Sequence, residues 1–214
     1  MSESSGHIQG RAAAIRIENL DTDQIMPKQF LRGIDKAGLA EGLLHDLRFD
    51  SQGNPRPGFV LNQPRQHGVS ILVGGSNFGC GSSREHAVWG MQQFGIQAVI
   101  APSYGEIFYS NAMNNQLMLV MLAPEEIEFL SDEVEQDPEM SILIDVERRR
   151  VVTKSRDVPF AISDRHREMF LKKLDVIGLT LQQRDSITSF SERHWQKYPW
   201  CKNVASQTRR RLSA

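Results

Sequence analysis

Cysteine is scarce in this chain. Its 214 residues hold two, Cys80 and Cys201, too few to supply the thiolates that hold an iron–sulfur cluster, and neither a CxxC pair nor a histidine-rich pattern accompanies them to make a zinc site. No cofactor is therefore expected in this chain, and any cluster that works with it belongs to another chain. Also missing is an apolar run long enough to span a bilayer, and Met1 to Arg11 is too small and polar to read as a signal peptide, so a cytoplasmic protein with no membrane partner is expected. Net charge is nearly absent as well. The formal value is −1, without the excess of one sign that points to nucleic acid or an anionic membrane. What remains, 40% hydrophobic and 24% charged residues, is the composition of an ordinary globular protein with one good core, and one principal domain is the default.

Against that plain background stands Asn77-Phe78-Gly79-Cys80-Gly81-Ser82-Ser83-Arg84-Glu85-His86. Ser70 to Val73 reads as a buried strand ended by Gly74 and Gly75, and Val88, Met91 and Phe94 recur at helical spacing in a segment from Ser83 to about Phe94. The motif thus lies where strand turns into helix. Gly79 and Gly81 let the backbone take conformations closed to other residues and approach a ligand closely. A helix starting there offers unpaired amides and the positive end of its dipole, which favour a carboxylate or phosphate. Two readings stay open: an anion site built from two hydroxyls and a guanidinium, or a plain capping box, Ser82 to Glu85. A dinucleotide fingerprint would want glycine where Arg84 stands, and a P-loop would want Gly-Lys before Ser or Thr. Cys80 in the loop is a weak candidate nucleophile, because no histidine or acid lies at an activating spacing.

The flanking sequence alternates between strand and helix. Val99 and Ile100 suggest a strand, Ser103 a cap for a helix from about Tyr104, and Leu117 to Leu122 a third strand. Pro124, Glu125 and Glu126 open a helix that ends before Asp137-Pro138. Ile142 to Val146 and Val151 to Thr153 make a hairpin around Glu147 to Arg150, with helices following near Asp164 to Leu174 and Leu181 to Arg193. This order predicts α/β layering with a mostly parallel central sheet. A long glycine-rich segment, about 31–64, has little periodicity and is a candidate lid. One domain over 1–197 is expected, with 198–214 as a flexible basic tail ending at Arg209 to Arg211.

GCGSSREH, preceded by NF and followed by VIAPSYGEIFYSNAMNNQL, resembles the swivel domain of the aconitase superfamily, and within it the family of 3-isopropylmalate dehydratase small subunits. A second block, Asn19 to Leu31 (NLDTDQIMPKQFL), is similar to that family's N-terminal signature. The likeness runs from about His7 to Arg184, with LHDLRF near Leu44 and IGLTLQ near Ile177. It implies an aconitase-like swivel fold and a hydro-lyase of leucine biosynthesis that interconverts 2- and 3-isopropylmalate by dehydration and rehydration. It further implies a [4Fe–4S] cluster held by a separate large subunit, so that this chain is inactive alone.

By the same resemblance Ser82 is the base, acting as an alkoxide, and Lys28 to Arg32 approach the group that distinguishes one malate derivative from another. Arg84 is suited to bind the substrate carboxylate and Ser83 to stabilise developing charge, and because an unpaired buried cation is costly beside hydrocarbon, Phe30 or Leu31 is expected to face the isopropyl group while Lys28 and Arg32 turn to solvent or to the partner subunit. Gly79 and Gly81 shape the loop. Asp21 and Asp23 either orient Arg84 and the Ser82 loop or merely cap a turn. Glu85 and His86 read as structural, and Asn114 and Asn115 as a helix end. Related small subunits acting on citraconate, dimethylmalate or homoaconitate remain alternatives, as does a non-catalytic anion- or RNA-binding module.

Overall fold

The computed structural model describes residues 6–31 and 38–213. Two compact units divide the chain, Met1–Asp175 and Val176–Ala214, so the division falls ahead of the boundary expected at 197. In the first unit the order is β1 (His7–Ile15), α1 (Thr22–Ile25), a 3-10 turn at Lys28–Phe30, α2 (Leu39–Gly42), α3 (His45–Arg48), 3-10 turns at Val60–Asn62 and Pro64–Gln66, and β2 (Val69–Gly74). Then come α4 (Glu85–Phe94), β3 (Ala98–Ala101), α5 (Glu106–Asn114), β4 (Met118–Met121), α6 (Pro124–Gln136), β5 (Ser141–Asp145), β6 (Arg150–Val152), β7 (Asp157–Pro159) and α7 (Asp164–Lys172).

Among the described residues the strands form one sheet, ordered β4-β3-β2-β1-β5-β6-β7. The β1 to β4 pairings are parallel, and β5, β6 and β7 are added antiparallel beyond β1. Five strands share one direction, as the alternating sequence predicts. Every residue of β2 is buried, the sign of a strand covered on both faces. Along it Val69, Ile71, Leu72 and Val73 join a continuous core with Val99, Ile100, Leu119 and Val120. Each such side chain removed from water contributes roughly 1.5–3 kcal/mol. The helix α6 lies across β1, β2 and β3, turning Ile127, Leu130 and Val134 inward.

The strand β1 is the element that composition hid. Its first half, His7 to Arg11, pairs antiparallel with β5, and its second half, Arg11 to Ile15, pairs parallel with β2, with the register shifting between Arg11 and Ala12. Between Ile8 and Ile15 the strand is made of polar residues, a glycine and three alanines, all poor in strand propensity. Burial decides their conformation: Ala12 and Ala13 are almost wholly enclosed. At Gly10 a Cβ would stand 1.9 Å from Ser70 Oγ and 3.3 Å from Ser70 Cβ, so a larger residue there would displace the Ser70 hydroxyl.

Three local expectations give way to tertiary contacts. Ser103 does not cap a helix; α5 starts at Glu106 after Gly105, with no side-chain cap, while Ser103 Oγ accepts from the Asn77 amide at 2.8 Å. The segment from 38 to 64 is no free loop, because Leu39, Leu43, Leu44 and Leu61 are buried among α2, α3 and the turns that follow. Residues 32–37 of the expected lid, including Arg32, lie outside the described residues. The second unit consists of α8 (Val176–Leu181), α9 (Arg184–Lys197), a 3-10 turn at Pro199–Cys201 and α10 (Val204–Leu212). The expected tail is therefore helical over most of its length. Ala205, Gln207, Arg209, Arg210, Arg211 and Leu212 are good helix formers, and local propensity needs no apolar periodicity.

Candidate active site

Parallel strands deliver their C-terminal ends to one edge of a sheet, where ligands of open α/β folds bind. Here the segments leaving β1, β2 and β3 at that edge carry Asn19 to Leu31, Gly75 to Arg84 and Pro102 to Gly105, and they go on pairing after the strands end. Gly79 N–H donates to Leu20 O at 2.7 Å and Thr22 N–H to Cys80 O at 2.9 Å; on the other side Phe78 N–H donates to Ser103 O at 3.0 Å and Gly105 N–H to Phe78 O at 2.9 Å. The glycine loop is thus clamped between its two neighbours. Asn77, at φ 56°, adds a side-chain bond from Nδ2 to Asn19 Oδ1 at 2.8 Å.

The loop rests on aromatic packing. Phe78 is fully buried, its ring 5.7 Å from that of Phe108 and 6.4 Å from that of Tyr104. Burial holds the Tyr104 hydroxyl well above its ordinary pKa, so it stays a neutral donor, directed at Val99 O and Val120 O. Gly79 sits on this platform at φ +73°, and a Cβ there would lie 2.3 Å from Phe108 Cγ. Gly81 also has positive φ, +96°, but with ordinary space around it.

Ser82 and Ser83 are exposed and precede the helix. The capping box expected between Ser82 and Glu85 is not formed: α4 begins at Glu85, Arg84 holds the N-cap position, and no side chain caps it. Ala87 N–H donates to Arg84 O at 3.2 Å, and the Glu85 and His86 amides that begin α4 have no side-chain cap, the setting that favours an anion. Glu85 Oε1 instead accepts from Asn115 Nδ2 at 2.6 Å, and Asn115 Oδ1 accepts from Trp89 Nε1 at 2.9 Å, which ties the start of α4 to the end of α5. His86 packs its ring 4.8 Å from Trp89. Both residues thus have neighbours on α4 or at the end of α5.

The two aspartates of the first block separate. Asp21 caps α1, accepting from Gln24 N–H at 2.7 Å while its own N–H donates to Gln24 Oε1. Asp23 makes an ion pair with Arg84 through Oδ1 and Nη1. The Nη1 atom is buried in that contact, and the guanidinium carries further N–H groups besides. A guanidinium so placed retains donors for a planar carboxylate. Cys80 spends its thiol proton on Asn19 O at 3.3 Å, a structural bond rather than the setting of an activated nucleophile.

Phe30 and Leu31 are half-buried and packed on the core, the Phe30 ring 5.0 Å from His45 and close above Gly42. Lys28 is exposed. A cleft of about 430 Å³ among Arg48, Phe49, Leu61, Gln66, His67 and Phe94 includes none of the site residues. One residue escaped notice within a block otherwise recognised. Thr22 is 1% exposed; its Oγ1–H donates to Ser82 O at 3.1 Å, and its oxygen accepts from Ser82 N–H at 3.2 Å. No spacing rule links positions 60 residues apart, and only membership of the TDQI block marked it.

The two long motifs are thus held in one pairing, with Arg84 against Asp23 and Ser82 against Thr22. The family model of the aconitase C-terminal domain matches residues 5–125, and that of the C-terminal domain of 3-isopropylmalate dehydratase small subunits matches residues 177–204. A curated relative from Chromobacterium violaceum, 3-isopropylmalate dehydratase small subunit 1, is 60% identical over 206 residues, covering 96% of this chain and 97% of its own. The chain belongs to the 3-isopropylmalate dehydratase small-subunit family. A small subunit from Mannheimia succiniciproducens is 42% identical, covering 91% and 96% of the two chains. A crystal structure of 3-isopropylmalate dehydratase from Methanocaldococcus jannaschii superposes with a TM-score of 0.62 at 28% identity, over 86% of this chain and 99% of that one.

Membership brings an iron–sulfur cluster into question, and the donor set of this chain does not fit one. The sequence has two cysteines, placed one in each compact unit. Among the described residues no group of three or more His, Cys, Asp and Glu is arranged to hold a metal ion. No helix among them is long and apolar enough to cross a membrane.

Proposed function

We propose that the chain is the small subunit of a 3-isopropylmalate dehydratase, a hydro-lyase, and that it supplies the base and the carboxylate clamp to a site completed by the large subunit. The observation that carries this reading is the union of the two blocks: the segment after β1 holds both Ser82, through Thr22, and Arg84, through Asp23. Isomerising 2-isopropylmalate requires removal of a weakly acidic proton beside a carboxylate, so a base has to work among strong anion stabilisers. Arg84 grips that carboxylate, Ser82 Oγ takes the proton, and Ser83 with the amides of α4 stabilises the charge that develops. Phe30 and Leu31 give the apolar wall an isopropyl group needs, since a buried cation beside hydrocarbon is costly. Lys28 stays in solvent.

The chain alone is an incomplete site. A serine hydroxyl ionises only under concentrated positive potential, yet Ser82 is exposed and Arg84 is countered by Asp23. The large subunit would supply the burial that Ser82 lacks here and would hold the [4Fe–4S] cluster, which would contribute Lewis-acid chemistry that this chain's donors cannot. Co-expression with the large subunit, followed by an anaerobic assay on 2-isopropylmalate, citrate and citraconate, tests the reading. Turnover of 2-isopropylmalate above the other two, seen only with both chains present, is expected. Dehydratase activity in the purified single chain, or preference for citrate, would overturn it.

A further inference from the structure

Thr22 is too well placed to be only part of a turn. It is almost completely buried at 1% exposure, and its hydroxyl engages three atoms of one residue: Ser82 N at 3.2 Å, Ser82 O at 3.1 Å and Ser82 Oγ at 3.5 Å. A threonine hydroxyl has one proton and two acceptor sites. While Ser82 is neutral, that proton lies toward Ser82 O and one lone pair takes the Ser82 N–H. The Ser82 Oγ contact is the loosest of the three, and it is the one that gains most if Ser82 becomes an anion, because hydrogen bonds to a charged acceptor are shorter and roughly twice as strong.

We propose that Thr22 is a positioning residue for Ser82, one that swings its hydroxyl hydrogen bond from Ser82 O to Ser82 Oγ when that oxygen is ionised. The inference rests on the reading of Ser82 as the base. No proton is transferred between the two hydroxyls; the Thr22 O–H bond stays intact and only its acceptor changes. Elsewhere the anchor is firm: Thr22 N–H donates to Cys80 O at 2.9 Å, and Asp21 caps the helix that Thr22 begins, so the hydroxyl keeps its place as Ser82 changes charge. The charged and titratable groups around Ser82 are Arg84 on its own loop, Asp21 and Asp23 on the segment after β1, Glu85 at the head of α4, the Cys80 thiol, and Glu106 next to Gly105, which packs on Cys80. One cation among several acids gives a neutral donor aimed at Oγ real weight.

The test uses the enzyme assembled with its large subunit, anaerobically, with 2-isopropylmalate. Thr22→Val keeps shape and removes the hydroxyl; Thr22→Ser keeps the hydroxyl. Since a donor aimed at a developing oxyanion is worth about a hundredfold or more, Thr22→Val should lower kcat about a hundredfold or more with KM little changed. It should also move the ascending limb of kcat against pH to higher pH, because the alkoxide has lost a donor. Thr22→Ser should restore both the rate and the position of the limb. A Thr22→Val enzyme with the normal limb and rate overturns the inference, and so does one that fails to fold or to bind the large subunit, which would assign Thr22 to the fold. Ser82→Ala, run in parallel, separates the two levels: near-normal turnover there defeats the base reading itself, whereas an inactive Ser82→Ala beside a normal Thr22→Val defeats only the role of Thr22.

Discussion

Ser82 and Arg84 lie two positions apart yet are held by different groups, and their substitutions should therefore fail differently. With Ser82→Ala, association with the large subunit should persist while kcat falls roughly 10²- to 10⁴-fold, the range for loss of a proton-transfer group. Steady-state kinetics on the assembled enzyme decides it. Arg84→Lys keeps the charge beside Asp23 but loses the planar fork, so KM should rise and kcat fall together; a fully active lysine variant would mean that a positive field alone suffices. Leu31→Ala should cost roughly 1–3 kcal/mol of discrimination, weakening turnover of 2-isopropylmalate more than that of a smaller malate analogue. Equal losses on both substrates would remove Leu31 from the apolar wall. At this scale Ser82, Ser83 and Arg84 could be picked out as candidates because glycines, hydroxyls and a guanidinium stand together at a strand-to-helix junction. The partition of Asp21 to a helix cap and Asp23 to the guanidinium was not, since both fit either role until the loops meet.

The glycine loop is the element on which the site depends, and its two inner glycines are needed for unlike reasons. At Gly79 a methyl group would overlap Phe108 at 2.3 Å and the backbone is at φ +73°, whereas at Gly81 the nearest atoms are 3.5 Å away and φ alone, +96°, is unfavourable. Overpacking costs about 1–3 kcal/mol, and left-handed backbone about 1–2 kcal/mol for a residue with a Cβ. Gly79→Ala should accordingly lower the urea midpoint clearly more than Gly81→Ala. If the two shifts are equal, Phe108 yields to the methyl group and the platform is softer than its packing implies. The strand before the loop and the helix after it were readable from periodicity. The start of α4 at Glu85 was not, because Ser82 serves local capping on paper and is drawn instead into its hydrogen bonds with Thr22 in the segment after β1.

For the molecule as a whole, the join between the parallel and antiparallel halves of the sheet is a point of pH sensitivity. Asp145, at the end of β5, is 6% exposed. Burial pushes its carboxyl up, but the Arg148 amide at 2.7 Å and the bond and charge of His7 at 3.1 Å outweigh burial, leaving it below the usual carboxylate range. A carboxyl depressed by folding adds stability above its unfolded pKa, and that stability drains away as pH falls through the lower, folded value. Urea unfolding followed from neutral pH down through the carboxylate range should show this loss, and Asp145→Asn should flatten it. An unchanged acid slope in the variant would place the sensitivity elsewhere.

By itself the sequence determined the α/β layering, the order from β2 to β6 and the identity of the two motifs, because burial periodicity, turn residues and rare clusters are local properties of a chain. Tertiary structure alone decided β1, whose polar and alanine-rich residues become a strand by filling the gap between β2 and β5. It decided also that Thr22 meets Ser82 across 60 positions, since a hydrogen bond of that reach exists only after parallel strands bring their ends to one edge.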